Sequence, residues 1–169
     1  MNGALQSQMS SIADAGAPSI VFATPGRRRA RPSINSWTLN VALVEDDLAD
    51  ASLIMGALQR HLQVGRSIAW DAPDFALSQL QADRFRPDLI LLDIHLPKMD
   101  GFSFLQGLDA IPAVRDTPVV MITTSRLARD VEKAKSSRVC GYIIKPDTYE
   151  ELRQRVHHAV NQTLTGKWS

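Results

Sequence analysis

The chain has a single cysteine, Cys140, so no intrachain disulfide can brace it and its stability must come from packing. That usage fits a reducing compartment, and a cytoplasmic location is the expectation. No apolar run approaches the roughly 18 residues of a membrane span. Residues 1–20 lack the basic start and continuous apolar centre of a secretory leader. His61, His157 and His158 have no ligand spacing to Cys140, which argues against zinc. Charge of one sign is also missing: the net is +1. It is unevenly spread, because Arg27, Arg28, Arg29 and Arg31 against Asp14 give residues 1–38 a charge of +3, leaving 15 basic and 17 acidic residues, or −2, beyond them. The folded part therefore has no general affinity for nucleic acid.

What is present suits one soluble globular domain: 169 residues, 44% hydrophobic and 22% charged. Residues 1–37, rich in Ser, Ala, Gly and Pro, read as a flexible basic extension with a short helix near residues 6–15. The Gly26–Pro32 cluster within it is a solvated tail, or else an electrostatic contact for an acidic partner or a duplex. The domain is expected over residues 38–169.

From Thr38 apolar runs alternate with amphipathic stretches. Strands are predicted over 41–45, 67–71, 89–93, 118–123 and 141–145, and helices over 48–62, 74–84, 102–110, 126–138 and 148–164. In the first helix Leu48, Ala51, Ile54, Met55, Leu58 and Leu62 form the inward stripe; in the second, Phe75, Ala76, Leu77 and Leu80 do. Leu152, Val156, Ala159, Val160 and Leu164 do so in the last. Runs such as Leu89–Leu92 and Val119–Ile122 are apolar throughout, as strands buried on both faces are. The fold class is therefore α/β, a doubly wound five-stranded parallel sheet of order 2-1-3-4-5, flavodoxin-like.

In such a sheet all strand C-termini share one edge, where ligands bind. Glu45-Asp46-Asp47, Asp93, Thr123-Thr124 and Lys145-Pro146 each follow an apolar run, and Tyr142 opens the last one. Carboxylates, a hydroxyl and an amine thus gather at one place, as a divalent cation and a phosphoryl group require. Asp47 reads as the N-cap of the following helix.

Residues 38–164 resemble the receiver domain of two-component response regulators. The resemblance is carried by Val44-Glu45-Asp46-Asp47, Leu92-Asp93-Ile94-His95-Leu96-Pro97-Lys98-Met99-Asp100-Gly101, Thr123-Thr124-Ser125 and Gly141-Tyr142-Ile143-Ile144-Lys145-Pro146, in the family's order and spacing. The first two look most like single-domain regulators of phytochrome-type histidine kinases. The resemblance implies that Asp93 is the phosphoacceptor. It implies Mg²⁺ held by Asp46, Asp93 and the His95 backbone carbonyl, with Glu45 acting through water. Lys145 would bind the phosphoryl group, and Thr123 and Tyr142 would form the switch. The bond before Pro146 is a cis candidate. Thr124 departs from the smaller residue common there, and its bulk is expected to hinder the tyrosine's inward path. His95 would tune the phosphorylated lifetime.

The resemblance also implies a sensor histidine kinase as partner, a bacteriophytochrome among the candidates. The protein would not be an enzyme beyond its own phosphotransfer and dephosphorylation. With helix 148–164 close to Ser169, output is expected through protein–protein contact, to a downstream target or a phosphotransfer protein. A homodimer through helix 4, strand 5 and helix 5 is also expected, with Trp168 as an anchor. No membrane contact is expected. The competing reading is a Mg²⁺-dependent phosphatase of the haloacid dehalogenase type. Such enzymes place a second Asp two residues beyond the nucleophile; His95 stands there.

Overall fold

Alternation along each strand decides which side of the sheet a residue joins, and the apolar runs are long enough to fill both sides. The computed structural model describes residues 20–21 and 38–168. The parallel strands are β1 (Leu39–Val44), β2 (Val64–Trp70), β3 (Leu89–Leu92), β4 (Val119–Thr123) and β5 (Gly141–Ile144). Helices α1 (Leu48–Gln59), α2 (Pro73–Gln81), α3 (Gly101–Asp109), α4 (Ala128–Lys135) and α5 (Tyr149–Thr165) alternate with them. The strand order is β2-β1-β3-β4-β5, the doubly wound order read from the sequence.

One strand was not foreseen. Ile20–Val21 pairs antiparallel with β5, Ile20 opposite Tyr142 and Val21 opposite Gly141. The rest of the expected extension, with Arg27–Arg31 and the helix expected near residues 6–15, lies outside the described residues.

Two hydrophobic layers sandwich the sheet. Val41, Leu43, Leu89, Leu91, Val120, Ile122 and Ile143 pack against α1 and α5 through Ile54, Leu58, Leu152, Val156 and Val160. Their neighbours Ala42, Val44, Ile90, Leu92 and Met121 face the other way, onto Leu80, Phe104, Leu108 and Val131 of α2, α3 and α4. Each fully buried leucine of β3 is worth about 2–5 kcal/mol against alanine, so this central strand fixes the register of everything above it.

Helix ends follow local chemistry. Asp47 caps α1, accepting from the amides of Ala49 and Asp50, as read from the sequence. Asp100 caps α3, Thr148 caps α5, and Gly166, at φ 65°, ends α5 in the left-handed conformation. Three residues expected to face inward do not: Leu48 is 78% exposed, Leu62 97% and Phe75 52%. Leu48 opens its helix before the stripe meets the sheet. Leu62 lies beyond the cap at Arg60, where helical periodicity has ceased. Phe75 precedes Ala76, so it points away from the Ala76–Leu80 face.

Candidate functional site

Strand register builds the site. Val44 pairs with Leu92 across β1 and β3, so Glu45 and Asp93 emerge side by side, and the Asp93 amide donates to the Val44 carbonyl at 3.0 Å. Thr123 pairs with Ile144 across β4 and β5, and the Lys145 amide donates to the Thr123 carbonyl at 2.8 Å. All four polar residues are therefore set at the same sheet edge by backbone hydrogen bonds.

Lys145 organises the acidic half. Its Nζ lies 2.6 Å from Glu45 Oε2, 2.7 Å from Asp50 Oδ2 and 3.3 Å from Asp93 Oδ2. Glu45 is 1% exposed and Asp93 6%, while Asp46 is exposed. One carboxylate oxygen each from Glu45, Asp46 and Asp93 lie within 4.8 Å of one another. Hard, charged oxygens at that spacing suit a small divalent cation. Asp93 Oδ1 is fixed from behind by the Ile94 amide, at 2.6 Å.

Burial sets the electrostatics. Desolvation pushes Glu45 up to about 7, outweighing the Lys145 ammonium, and the Asp93 charge adds to the rise. Burial alone would lower Lys145, but hydrogen bonds to Asp50 and Glu45 and the Asp93 charge raise it, so it stays a cation.

The loop after Asp93 closes beneath the site. Gly101 opens α3 directly against β3: a β-carbon there would lie 2.4 Å from the Asp93 carbonyl oxygen and 3.0 Å from Ile94 Cα. The glycine of the Asp100-Gly101 pair serves close approach here rather than a turn dihedral. Lys98, at φ 66°, takes the left-handed conformation that a lysine seldom adopts, so the loop is held in a strained shape beside the site. His95 is exposed; only its amide reaches Asp93 Oδ1, at 3.4 Å.

The neutral half lies across β4 and β5. Thr123 is fully buried and its Oγ1 accepts from the Ser125 amide at 3.3 Å. Tyr142 is also fully buried, and its hydroxyl donates to the Ser125 carbonyl at 3.1 Å. Burial, opposed by that hydrogen bond, pushes Tyr142 up to about 12. Ser125 in turn bonds Asp130 at 2.5 Å through its own hydroxyl.

Two expectations are corrected. The peptide bond before Pro146 is trans. The extended Lys145 side chain reaches Glu45, Asp50 and Asp93 from the trans backbone, so no cis bond is needed to aim it. Thr124 does not bar the tyrosine: it is exposed while Tyr142 already lies inside. Trp168, expected to anchor a second copy, is half-buried against the chain's own α1–α5 core layer.

The sequence reading missed Asp50 and Ser125. Asp50 is given no role there, and its signal is its place three residues beyond the N-cap, on the turn nearest the sheet edge. Ser125 enters only as part of the Thr123-Thr124-Ser125 fragment, since its contacts with Thr123 and Tyr142 run through its backbone.

The response regulator receiver domain family matches residues 41–157. The chain is 38% identical over 121 residues to the probable methanogenesis regulatory protein FilR2 of Methanothrix harundinacea, covering 69% of this chain and 77% of that one. It spans only 49% of RpaA, a DNA-binding dual master transcriptional regulator of Synechocystis, at 31% identity. Among solved structures, the phosphorylated cyanobacterial phytochrome response regulator RcpA superposes with a TM-score of 0.70 at 31% identity, over 77% of this chain and 96% of that one. The Mn²⁺-bound response regulator Rcp1 gives 0.65 at 31% identity, over 71% and 90%.

Proposed function

The chain belongs to the response regulator receiver family, and from that premise we propose that it accepts a phosphoryl group on Asp93 from the histidine of a sensor kinase. The observation that carries this reading is the single buried ammonium of Lys145 set among Glu45, Asp50 and Asp93, with Asp46 beside them. Asp93 follows the central strand with a buried carboxylate, one oxygen held by the Ile94 amide and the other 3.3 Å from the ammonium, which sits closer to Glu45 and Asp50.

In the proposed reaction a carboxylate oxygen of Asp93 attacks phosphorus. The new O–P bond forms as the P–N bond to the kinase imidazole breaks, and that imidazole leaves with the bond's electron pair. Asp46 and Asp93, with the His95 carbonyl, are the proposed ligands of Mg²⁺, and Glu45 its partner through water. When bound, the cation neutralises phosphoryl charge. Lys145 supplies the ammonium for one phosphoryl oxygen. The Thr123 hydroxyl is the donor that turns toward the new group, and Tyr142, already buried, stays locked inward.

Several finer points belong to the same proposal. The kinase is of the phytochrome class, supported by the likeness to RcpA. The protein works in the cytoplasm, supported by its receiver-family membership. It signals by protein–protein contact, a homodimer included, and turns over no substrate besides its own phosphoryl group. No observation favours the phosphatase reading.

The test is labelling by acetyl phosphate and by candidate kinases with Mg²⁺ present. Wild type becomes a phosphoprotein, and Asp93→Asn loses at least about a hundredfold in labelling, since an amide is a poor nucleophile. A variant that labels like wild type would show that the acceptor lies elsewhere.

A further inference from the structure

Asp50 carries no role in the site that the family resemblance implies, yet its carboxylate makes one of the two short contacts to Lys145. The ammonium has three N–H donors and meets three carboxylates. Glu45 and Asp50 lie at 2.6 and 2.7 Å, the usual range for a charge-assisted bond, while Asp93 stands off at 3.3 Å. The lysine thus leans toward the α1 side of the site and away from the residue it would serve.

Local structure explains why Asp50 is available. It is the third residue of a helix capped by Asp47. An acid at that position ordinarily reaches back to the amide of the cap residue. Here the Asp47 amide instead donates to Glu45 Oε1, at 3.2 Å. Asp50 is left with no capping duty and extends toward the sheet edge, as side chains tilted toward a helix N-terminus do. The helix dipole favours its charge at this end. Its side chain is 34% exposed, against 8% for Lys145 and Asp93, so it can take up or release the ammonium without leaving an unpaired buried charge.

We propose that Asp50 is a positioning residue that holds the Lys145 ammonium back from Asp93, keeping the Asp93 carboxylate open to a divalent cation and to the incoming phosphoryl group. This rests on the phosphoacceptor reading for its purpose, but not for its test. Without Asp50 the ammonium settles on Asp93 and competes with the cation for the same oxygens.

The experiment is a double-mutant cycle on the full chain: wild type, Asp50→Asn, Lys145→Met and the pair, each titrated calorimetrically with Mg²⁺ and no phosphodonor. Asp50→Asn is expected to weaken Mg²⁺ binding roughly three- to tenfold. In the Lys145→Met background the same change is expected to alter it by less than about 1.5-fold, because the effect runs through the lysine. Asp50→Glu, which retains the charge, is expected to recover most of the loss. Equal losses in both backgrounds would mean simple charge attraction and would overturn the proposal, as would no loss at all. A second readout needs no metal: the ¹⁵N ammonium resonance of Lys145 is expected to be sharp in wild type and shifted or exchange-broadened in Asp50→Asn. An unchanged resonance sinks the proposal whatever the cation does. If wild type fails to label, the phosphoacceptor reading falls while the resonance still decides the role of Asp50.

Discussion

The two halves of the site are built on opposite principles. Across β1 and β3 the groups are charged: one ammonium among three carboxylates, with a fourth exposed beside them. Across β4 and β5, apart from Lys145, the inward pair is neutral: a threonine and a tyrosine, each joined by one hydrogen bond to Ser125, whose hydroxyl bonds the Asp130 carboxylate. Charged groups in a low-dielectric pocket respond steeply to an added ion, whereas a neutral hydrogen bond is worth about 0.5–1.5 kcal/mol net and is easily exchanged. The acidic half is therefore fit to receive a charge, and the neutral half to exchange the Thr123 hydrogen bond at little cost once one arrives.

The difference can be tested from its strong end to its weak end. Asp46→Ala removes an exposed oxygen ligand and is expected to weaken Mg²⁺ binding by more than about tenfold, with labelling falling in step; calorimetry with unchanged affinity would remove Asp46 from the ligand set. Next comes Glu45. Its folded value near 7 lies above its ordinary 4.5, so its stabilising contribution is complete below about pH 4.5 and is lost as pH rises through about 7. Metal-free wild type should therefore fall in stability across that window relative to Glu45→Gln, whose amide does not titrate. The difference should reach about 2–3 kcal/mol by pH 8, and urea unfolding at several pH values checks it. Parallel pH curves would mean that Lys145 keeps Glu45 ionised throughout.

Tyr142→Phe retains the buried ring and deletes one hydroxyl. A loss of about 0.5–1.5 kcal/mol is expected, read from the same urea curves. A larger loss would make the neutral half as rigid as the charged one. His95→Ala should have the smallest effect. The backbone contact to Asp93 survives the substitution, so labelling yield is expected to hold while the decay rate of the phosphorylated protein, followed from about pH 6 to 8, shifts a few-fold. Superimposable decay curves would assign the side chain to solvent alone.

Much of this was legible beforehand, for a definite reason. Strand C-termini in a parallel sheet converge wherever the sequence puts them, so Glu45, Asp93, Thr123 and Lys145 could be brought together without knowing one contact. The Asp47 cap was legible for the same kind of reason, since capping is local. What stayed hidden depends on three-dimensional reach. Nothing in the spacing says that Asp50 points at Lys145 rather than at its own helix terminus, because that choice turns on Glu45 taking the Asp47 amide. The inward pose of Tyr142 was obscured by attention to the bulk of Thr124, which matters only if the threonine shares the tyrosine's path. Leu48, Leu62 and Phe75 show the other limit: a stripe counted by periodicity ends where the helix or its packing partner ends.

The strand at Ile20–Val21 has a consequence for how the molecule meets others. An open sheet has two growth points, each able to template a further strand. On the β5 side that point is taken, since the Gly141–Tyr142 stretch is already paired from within the same chain. The borders of the six-stranded sheet are the two-residue Ile20–Val21 strand and β2, and in β2 Gly65, Arg66 and Ala69 are exposed. A partner that pairs directly with Gly141–Tyr142 of β5 must first displace the chain's own Ile20–Val21 segment, whereas β2 takes a further strand without such a step.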